Sequence, residues 1–600
     1  MLRRSGIQWK YLKIGPYELC ALAIIIFAVT VRIVLLGLGW PPLDSDEGTM
    51  GLMAMHIAFR GEHPIFFYGQ GYMGAFEAYL AALFFRLFGV STFTLLLGLV
   101  ILYMVFLIAI YLLTSLLYSK PLALVTLGLL AVGSNGMLSR ELVAIGGYPE
   151  TLMFGSLIML LASWLALTSR ADSGARNRWQ RLLAYGVWGL IAGLGLWTHL
   201  LVAPFVLFGG LLLLFCWREL WSLAPLCLIA GLLIGAYPLI YYNLHAPPGM
   251  DSLTIFWGIH RGSGIAQPPF RQLFPQEVKG ALLVSLPTMT GANPLCAASE
   301  VHFLNLSSVQ GLRCTLVHTG WSSGIILLWV VGCLMAVKVL KGYYSPGRAW
   351  EPEERRSVAL QCARLALLGS GALTLLLYVV SPDPALFPVP TSRYLVGLLI
   401  VTPAVLWPLW NGVGAVKPLA LRFAQMSVAV RLAKVSVILR RAVLALIGVV
   451  LVMGTFSIFT GIPPAPPVGQ TTGIFALQVN DQHLDLAVTQ ALDRQQEALI
   501  RDLLRIGARH IYSDYWTCDR LIFQSQERII CGALKDDLGL GHDRYVPYQV
   551  IVHKDPQTAY VFPVGSPQAA AMARNVRSSN RHYRYFTFDG YVVYQPVAKR

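Results

Sequence analysis

Charged residues are scarce in this sequence. Only 13% of the 600 residues are Asp, Glu, Lys or Arg, whereas 56% are hydrophobic. Soluble domains contain roughly 45–50% apolar residues even when Gly is included, so the composition excludes an ordinary soluble protein. Many apolar runs approach or exceed the length of about 18 residues that indicates a membrane span. The sequence therefore predicts a polytopic membrane protein.

A dispersed basic surface is also missing. The net charge of +16 would suit a nucleic-acid ligand, but the Arg and Lys residues are concentrated in short segments between apolar runs. That distribution is typical of the positive-inside rule, which reflects membrane insertion rather than a polyanionic ligand. We therefore expect membrane lipids as partners and no nucleic acid.

Eleven apolar segments are predicted to span the membrane. They lie at 17–39, 92–117, 121–138, 150–168, 182–198, 200–216, 222–242, 321–340, 363–380, 394–410 and 442–460. With the basic N-terminus in the cytoplasm, an odd number of spans places the C-terminus outside the cell membrane. The Arg- and Lys-rich segments then fall inside, at 169–181, 341–362 and 411–441. The outer loops are 40–91, 139–149, 243–320 and 381–393.

Residues 73–89 are apolar but are not predicted to span the membrane. The segment is short and contains Glu77 and Arg86. We interpret it as a helix that lies in the outer membrane interface. Counting it as a span would reverse every later loop and place the basic segments outside, against the positive-inside rule.

The composition changes after the last span. A Pro-rich linker at 461–474 follows the transmembrane domain of residues 1–460, and residues 475–600 are polar and mixed in pattern. Residues 491–507 have helical spacing with Gly507 as a C-cap. Four segments have the composition of strands, at 510–516, 548–553, 559–564 and 582–597. We therefore predict a small extracytoplasmic α/β domain at the C-terminus.

Four of the nine cysteines fall outside the predicted spans and their flanks. Cys296 and Cys314 lie in the large outer loop, and Cys518 and Cys531 lie in the terminal domain. An even number of cysteines in an oxidising compartment predicts one disulfide in each region. Four free thiols are the alternative.

Three carboxylates, Asp44, Asp46 and Glu47, stand where the first span ends. Asp44 and Glu47 have the spacing of a capping box, with Asp44 as the N-cap of a helix that reaches about Phe59. Capping explains Asp46 less well. A carboxylate that faces a cavity can act as a general base, and adjacent carboxylates can hold a divalent cation. Both interpretations stay open at this point.

The residues around these carboxylates resemble a known family. The stretch LDSDEGTMGLMAMHIAFRGEHP (43–64), followed by YMGAFEAYLAALFFRLFG (72–89), is similar to the first outer loop of GT-C glycosyltransferases. It resembles most closely the protein mannosyltransferase and aminoarabinose transferase superfamily, in which an Asp-Glu pair opens a helix after the first span. Asp46 and Glu47 take the place of that pair.

The resemblance implies a fold and a reaction. The fold would be an α-helical polytopic membrane protein of GT-C type with the small α/β domain attached. The reaction would move a sugar from a polyprenyl-phosphate donor to a hydroxyl of a lipid, glycan or protein acceptor on the outer face, with inversion. Asp46 would be the base, and Glu47 would orient the acceptor or hold a cation. The sequence has no Gly-rich nucleotide-binding fingerprint, which disfavours a nucleotide-sugar donor.

The family carries a second acid in the second outer loop, and two residues compete for that place. Arg140-Glu141 resembles the family's Arg-Glu at a span end. Glu150 follows Gly-Gly-Tyr, whose glycines allow close approach of a ligand to the backbone; its alternative role is an acid at a helix N-terminus. If the site holds a metal, the candidate ligands are Asp46 and Glu150, with Mg, Mn or Zn as the ion.

Further candidate substrate-binding residues lie at the outer ends of the predicted spans and in the outer loops. Arg393-Tyr394 resembles the Arg-Tyr that opens a late span in relatives, and Arg is suited to binding a phosphate. His199 stands at a span end, where a structural role is the alternative. The remaining candidates are polar residues of the two first outer loops: His56, Tyr68, Gln70 and Tyr148.

Two other functional classes compete with a glycosyltransferase. A lipid or sugar transporter, or a flippase, would favour charged or broken helices at mid-membrane, whereas most acidic residues here stand at span ends. A non-catalytic scaffold whose outer domain binds a partner is the second alternative. Glycosylation of an acceptor by the purified protein would exclude both.

Overall fold

A computed structural model provides the fold. It describes residues 15–169, 175–260, 270–292, 295–296, 308–343, 351–412, 426–461, 485–578 and 582–597. The predicted linker at 461–474 lies outside these ranges except for Gly461, as does the basic N-terminal segment before residue 15.

The N-terminal three-quarters of the described chain is helical. In chain order its α-helices are α1 (Pro16–Gly37), α2 (Ser45–Met55), α3 (Phe76–Phe88), α4 (Thr92–Leu117), α5 (Lys120–Ala131), α6 (Asn135–Glu141), α7 (Tyr148–Leu167), α8 (Ala175–Thr198), α9 (Ala203–Leu213), α10 (Ala224–Gly235), α11 (Tyr237–His245), α12 (Ser252–His260), α13 (Phe270–Gly280), α14 (Leu286–Thr290), α15 (Val309–Tyr343), α16 (Pro352–Val379), α17 (Asp383–Leu386), α18 (Leu398–Asn411) and α19 (Met426–Thr460).

Six of these helices are long and apolar enough to cross a membrane: α1, α4, α7, α15, α16 and α19. Two bent pairs would each pass as one further span, α5 with α6 at 88° and α10 with α11 at 63°. The other predicted spans coincide with shorter apolar helices, Leu200–Cys216 and α18, and with α8, which begins among basic residues. The membrane location is thus confirmed, whereas the number of eleven spans stays a prediction.

The segment predicted to lie in the interface is helix α3. It has 13 residues and is not among the helices long enough to span. Helix α2 continues as a turn of π-helix over His56–Arg60 and ends at Gly61, close to the predicted end at Phe59.

Helices α8 and α10 pack backbone to backbone through glycines. A side chain at Gly189 would collide with the carbonyl oxygen of Leu228, and one at Gly231 would collide with that of Gly186. Small residues are the usual means by which membrane helices approach closely. The contact also brings the first half of α8 close to the segment that precedes α10.

The C-terminal part is a small α/β unit, as predicted. Its strands are β1 (His510–Ser513), β2 (Ile530–Ala533), β3 (Ala559–Pro563), β4 (Tyr583–Phe588) and β5 (Tyr591–Pro596), and its helices are α20 (Leu486–Arg505), α21 (Tyr515–Gln524), α22 (Val546–Lys554) and α23 (Pro567–Ser578). The strand order is β2-β1-β3-β5-β4. β1 pairs in parallel with β2 and β3, and β5 pairs antiparallel with β3 and β4.

One predicted strand is wrong. Residues 548–553 form part of helix α22. Pro547 stands in the first turn of the helix, where a missing N–H costs nothing, and Tyr548 and Val552 lie four residues apart on the buried face. The short strand β2 was not predicted from the sequence. Gly507, with φ of 76°, follows α20 as the expected C-cap.

Both predicted disulfides are confirmed. Cys296 pairs with Cys314, with their Cα atoms 5.5 Å apart. Cys518 pairs with Cys531, with a Cα separation of 5.2 Å, and this bond ties helix α21 to strand β2.

Helix α21 of the terminal domain packs directly on α2 of the first outer loop. A Cβ atom at Gly48 would lie 2.5 Å from the backbone nitrogen of Arg520, and one at Gly51 would lie 2.5 Å from the ring of Phe523. Ser45 donates a hydrogen bond to the carbonyl oxygen of Tyr515 at 2.6 Å. The two glycines of α2, three residues apart, therefore form the surface on which the terminal domain sits.

Candidate active site

Helix α2 begins with the predicted capping box. The Asp44 carboxylate accepts a hydrogen bond from the backbone N–H of Glu47 at 2.8 Å, and Glu47 accepts one from the N–H of Asp44 at 3.0 Å. Reciprocal bonds of this kind satisfy two donors that a helix start would otherwise leave unpaired. Capping accounts for Asp44 and for one oxygen of Glu47.

The other oxygen of Glu47 joins the first outer loop to the second. It accepts a hydrogen bond from the N–H of Ala144 at 3.1 Å. Burial, with a further contribution from the Asp44 charge, raises the pKa of Glu47 well above its usual range. Because backbone amides occupy both of its oxygens, Glu47 fixes the two loops relative to each other and to its neighbour Asp46.

Asp46 points instead towards the terminal domain. Its Oδ1 accepts hydrogen bonds from the Tyr515 hydroxyl and from Arg544 Nη2, the latter at 2.8 Å. Burial raises the pKa of Asp46, but the Arg544 charge, the Tyr515 hydroxyl and the charge of Arg393 together outweigh burial, so the pKa is lower than usual. Asp46 is therefore ionised at neutral pH, and 18% of its side chain stays exposed.

The Arg544 guanidinium is held by a set of contacts around Asp46. Its Nε donates to the Tyr515 hydroxyl at 2.8 Å, and the group lies 5.1 Å from the centre of the Phe67 ring. In the amide orientation that satisfies both of its polar atoms, Gln70 accepts from the guanidinium at 2.6 and 3.1 Å. The predicted residue Gln70 therefore lies beside Asp46, by way of an arginine that sequence reasoning missed.

A second group of predicted residues surrounds His199. Its ring lies 5.8 Å from Tyr148 and 6.1 Å from Tyr72. Tyr148 in turn lies 6.1 Å from Tyr394, and the Arg393 guanidinium lies 5.6 Å from the Tyr148 ring. Tyr148, His199, Arg393 and Tyr394 are thus neighbours, as the predicted site requires.

Tyr72 connects this group to Asp46. Burial raises its pKa, and the charges of Arg544, Arg393 and Asp46 all act on its hydroxyl as well. The hydroxyl is therefore within electrostatic reach of both arginines and of the aspartate. Asp46, paired with Arg544 of the terminal domain and influenced by the charge of Arg393 of the membrane domain, is the centre of the candidate site.

The glycines before Tyr148 have a role that differs from the predicted one. Gly146 and Gly147 have φ angles of 92° and 87°, which favour glycine over other residues. A Cβ at Gly147 would lie 2.5 Å from the Cβ of His199, and one at Gly146 would lie 2.7 Å from Met73. The close approach that these glycines allow is to side chains of the protein itself.

The two candidates for the second acid occupy different surroundings. Glu141 is fully buried and pairs with Arg32, whose Nε and Nη2 donate to it at 3.1 and 2.5 Å. This pair joins α6 to α1 and leaves Glu141 committed to the helix packing. Glu150 is also fully buried, in the first turn of α7, and its carboxyl group lies beside that of Glu77.

Glu77 was not among the predicted site residues. One of its oxygens accepts from the N–H of Gly146 at 3.0 Å. Burial and the adjacent Glu150 carboxylate raise the pKa of Glu77 well above its usual range. Two buried carboxyl groups this close disfavour the ionisation of each other.

His56 and Tyr68 meet at the boundary with the terminal domain. His56 Nδ1 lies 2.9 Å from the Tyr68 hydroxyl, and Nε2 lies 2.9 Å from Glu527 and 3.1 Å from the Tyr548 hydroxyl. Arg60 adds a bond to Glu527 at 2.6 Å. These two predicted residues therefore contact each other, but in a polar cluster that holds the terminal domain to the first outer loop.

The predicted metal ligands do not form a cation site in this arrangement. Throughout the described ranges, no group of three or more His, Cys, Asp and Glu side chains is placed to hold a metal ion. The Asp46 carboxylate is paired with Arg544, and Glu150 stands beside Glu77. Each of the two predicted ligands thus has another charged or acidic neighbour, and the Mg, Mn or Zn ion stays a prediction.

Comparison with solved structures identifies the fold. The chain matches the crystal structure of ArnT from Cupriavidus metallidurans bound to undecaprenyl phosphate, with a TM-score of 0.52, 13% sequence identity, and coverage of 96% of this chain and 98% of that one. The chain has the GT-C fold. The resemblance that the first outer loop carries is thereby confirmed at the level of the fold.

Other comparisons are weaker. The oligosaccharyltransferase of Archaeoglobus fulgidus in its apo form gives a TM-score of 0.49 at 13% identity, with 97% of this chain and 75% of that chain covered. No family model matches the sequence, and no curated protein matches it. The GT-C fold of this chain is therefore visible in its structure and in one outer-loop motif, not in its sequence as a whole.

Proposed function

We propose that the protein is a membrane glycosyltransferase that moves a sugar from a polyprenyl-phosphate donor to an acceptor hydroxyl on the outer membrane face. The observation that carries the proposal is the Asp46 carboxylate, which is paired with Arg544 and within electrostatic reach of Arg393, in a chain with the GT-C fold. A carboxylate can take a proton, and the neighbouring guanidinium groups suit a phosphate. The ArnT structure with the same fold contains undecaprenyl phosphate, which supports a donor of that class.

The proposed reaction is a single displacement. Asp46 takes the proton of the acceptor hydroxyl while the hydroxyl oxygen attacks the anomeric carbon from the face opposite the phosphate. The bond between that carbon and the phosphate oxygen breaks, and its electron pair stays on the phosphate. The anomeric configuration inverts, and Arg393 stabilises the negative charge on the departing polyprenyl phosphate.

The pairing with Arg544 is compatible with a base at Asp46. Both hydrogen bonds from the terminal domain go to Oδ1, so Oδ2 is the oxygen that would accept the hydroxyl proton. The lowered pKa weakens the carboxylate as a base but keeps it ionised. Glu47 supports this geometry, because its bonds to Asp44 and Ala144 fix the start of α2.

The terminal domain is part of the proposed site because it supplies Arg544 and Tyr515. Glu150 is the better of the two candidates for the second acid, since Glu141 is committed to its ion pair with Arg32. We assign Glu150 to the acceptor side of the site. The proposed donor is a prenyl-phosphate sugar, and the proposed acceptor is a molecule with a free hydroxyl group.

A reconstitution experiment tests the function. The purified protein in liposomes is given a lipid extract from a strain that lacks its gene, and products are read by mass spectrometry. We expect that the extract contains an accumulated prenyl-phosphate sugar, and that the protein consumes it and forms a glycosylated acceptor. Movement of the labelled lipid across the bilayer with no glycosidic product would favour a transporter instead. Neither product nor movement would favour a scaffold.

A further inference from the structure

A cavity of about 180 Å³ lies at the other end of the membrane domain from Asp46. Four arginines and one glutamate contribute to its wall: Arg178, Arg181, Arg218, Arg355 and Glu219. Arg181 stands near the start of α8, whereas His199 of the candidate site follows its end. At 1.5 Å per residue, the two are about 27 Å apart along the helix, close to the thickness of a bilayer core.

The basic cavity is built by three segments that are far apart in sequence. The glycine contact between α8 and α10 brings the first half of α8, with Arg178 and Arg181, close to the segment before α10, and the first turn of α16 adds Arg355. All three segments are predicted to lie on the inner side of the membrane. The positive-inside rule explains why each is basic, but it does not require their arginines to converge on one concave site.

One of the four arginines, Arg181, is neutralised by an ion pair within the protein. The Arg181 guanidinium donates to Glu219 at 2.7 Å, to the Thr168 hydroxyl at 2.7 Å and to the carbonyl oxygen of Leu165 at 2.9 Å. Glu219 also accepts from the Tyr185 hydroxyl at 3.2 Å. These bonds make Arg181 and Glu219 a fixed wall of the cavity, with their charges balanced against each other.

The other three arginines leave a positive charge that this wall does not balance. Arg355 Nη2 donates to the carbonyl oxygen of Phe215 at 2.6 Å, which takes up one donor and none of the charge. In the part of the chain that the structure describes, neither Arg178 nor Arg218 forms an ion pair, and both are exposed. The cavity is therefore suited to an anion that can accept several hydrogen bonds, and guanidinium groups bind phosphate in this way.

The surroundings of the cavity are apolar. Trp217 and Trp221 next to Arg218 are 54% and 86% exposed, and Leu223 is 51% exposed. Exposed tryptophans are typical of the interface between a membrane and water, and the leucine would face acyl chains. A ligand at this place would therefore have a phosphate headgroup and a hydrophobic tail.

We propose that the basic cavity binds the phosphate headgroup of an anionic phospholipid on the inner side of the membrane. Basic pockets between helices on that side are suited to such headgroups. The site is separate from the candidate active site and is independent of the proposed transferase activity. Bound lipid would bridge the first half of α8, the segment before α10 and the first turn of α16, and would thereby stabilise the protein.

The test uses the full-length protein in neutral detergent. Binding of short-chain phosphatidylglycerol and phosphatidylcholine is measured by native mass spectrometry, and thermal unfolding is followed with each lipid. Inorganic phosphate is a separate arm, because a free phosphate has the same headgroup chemistry. The variant is Arg178→Gln/Arg218→Gln, whose two exposed side chains can be replaced without disturbing the packing. The control is Lys341→Gln/Arg441→Gln, which removes the same charge from other predicted inner-side segments.

We expect phosphatidylglycerol to bind and to raise the melting temperature, and phosphatidylcholine to do neither. The cavity variant should lose about 30-fold in affinity for phosphatidylglycerol, and the control variant should lose little. An equal loss in both variants would overturn the site in favour of general surface charge. Equal binding of both lipids, or binding of inorganic phosphate as tight as that of the lipid, would overturn the lipid assignment. Both variants must melt like the wild type without lipid. If the cavity variant does not, the single variant Arg218→Gln takes its place, and Lys341→Gln is then the control.

Discussion

The Asp46 carboxylate accepts a hydrogen bond from the Arg544 guanidinium at 2.8 Å, although 498 positions separate the two residues. One belongs to the first outer loop and the other to the terminal domain. A carboxylate at the centre of a membrane-edge site is thus completed by a domain that the sequence places at the far end of the chain. The terminal domain therefore supplies a charged partner to the candidate site.

The first prediction concerns Asp46 as the base. Asp46→Asn keeps the shape of the side chain but removes the proton acceptor, so turnover should fall by roughly 10²–10⁴-fold. The control is Asp44→Asn, which should stay within a few-fold of the wild type because Asn caps a helix about as well as Asp. Turnover is measured with the reconstituted protein and the accumulated donor lipid. An active Asp46→Asn protein would move the search for the base to Glu150.

The second prediction concerns the charge of Arg544. Because this guanidinium holds the pKa of Asp46 below its usual range, Arg544→Gln should raise that pKa. Asp46 must be ionised to act, so the acid limb of the pH profile of kcat/KM should move to higher pH in the variant. Arg509→Gln, an exposed arginine of the same domain, is the control and should leave the limb in place. An unchanged limb in Arg544→Gln would show that the arginine serves only to dock the domain.

The third prediction concerns Asp519 in the contact between α2 and α21. Burial raises its pKa from 3.8 to about 7, against the hydrogen bond from Thr49, which lowers it. A carboxyl whose pKa is raised in the folded protein contributes most below its unfolded pKa, so stability should fall as pH rises from about 4 to 7. Asp519→Asn should raise the melting temperature by about 2–4 °C or more at pH 8 and have little effect near pH 4. Asp537→Asn, an exposed residue, should change neither value.

The fourth prediction concerns the glycine surface of α2. Gly48→Ala places a methyl group 2.5 Å from the backbone of Arg520, and backbone cannot move aside as a flexible side chain can. The contact should weaken by about 1–3 kcal/mol, and a protease should release the terminal domain faster. Gly324→Ala in α15, where a Cβ would meet nothing within 4 Å, is the matched control. Equal release from both variants would mean that α2 is not the docking surface.

The fifth prediction concerns sidedness. The terminal domain is expected outside, and the basic cavity inside, so an impermeant protease should cut residues 485–597 in intact, wall-stripped cells. Protection of the domain until the membrane is permeabilised would overturn the predicted orientation.

The same material, alkylated with and without reductant, should show that Cys518 and Cys531 react only after reduction.

Local patterns in the sequence predicted local structure well. The spacing of Asp44 and Glu47 gave the capping box because both partners lie within one helical turn. Cys518 and Cys531 could be paired because the terminal domain, residues 475–600, contains no other cysteine. The strand predicted at 548–553 failed because its Val and Ile residues have strand propensity, whereas Pro547 and tertiary packing favour a helix.

Long-range contacts could not be predicted from the sequence. No pattern near Arg544 or Tyr515 marks them as partners of Asp46, since the pairing depends on how α21 docks on α2. The same limit left Glu141 and Glu150 undecided. Their difference is the presence of Arg32, 109 positions before Glu141, and a buried partner that distant leaves no signal in local spacing.

The contact between α2 and α21 also has a consequence for biosynthesis. Ser45 in α2 and Tyr515 in α21 are 470 positions apart, so a ribosome completes the whole membrane domain before the helix that covers α2 emerges. Throughout that interval Asp46 lacks both Tyr515 and Arg544. A chain released early would insert in the membrane with an incomplete candidate site, so the last segments to be translated complete the surroundings of the first outer loop.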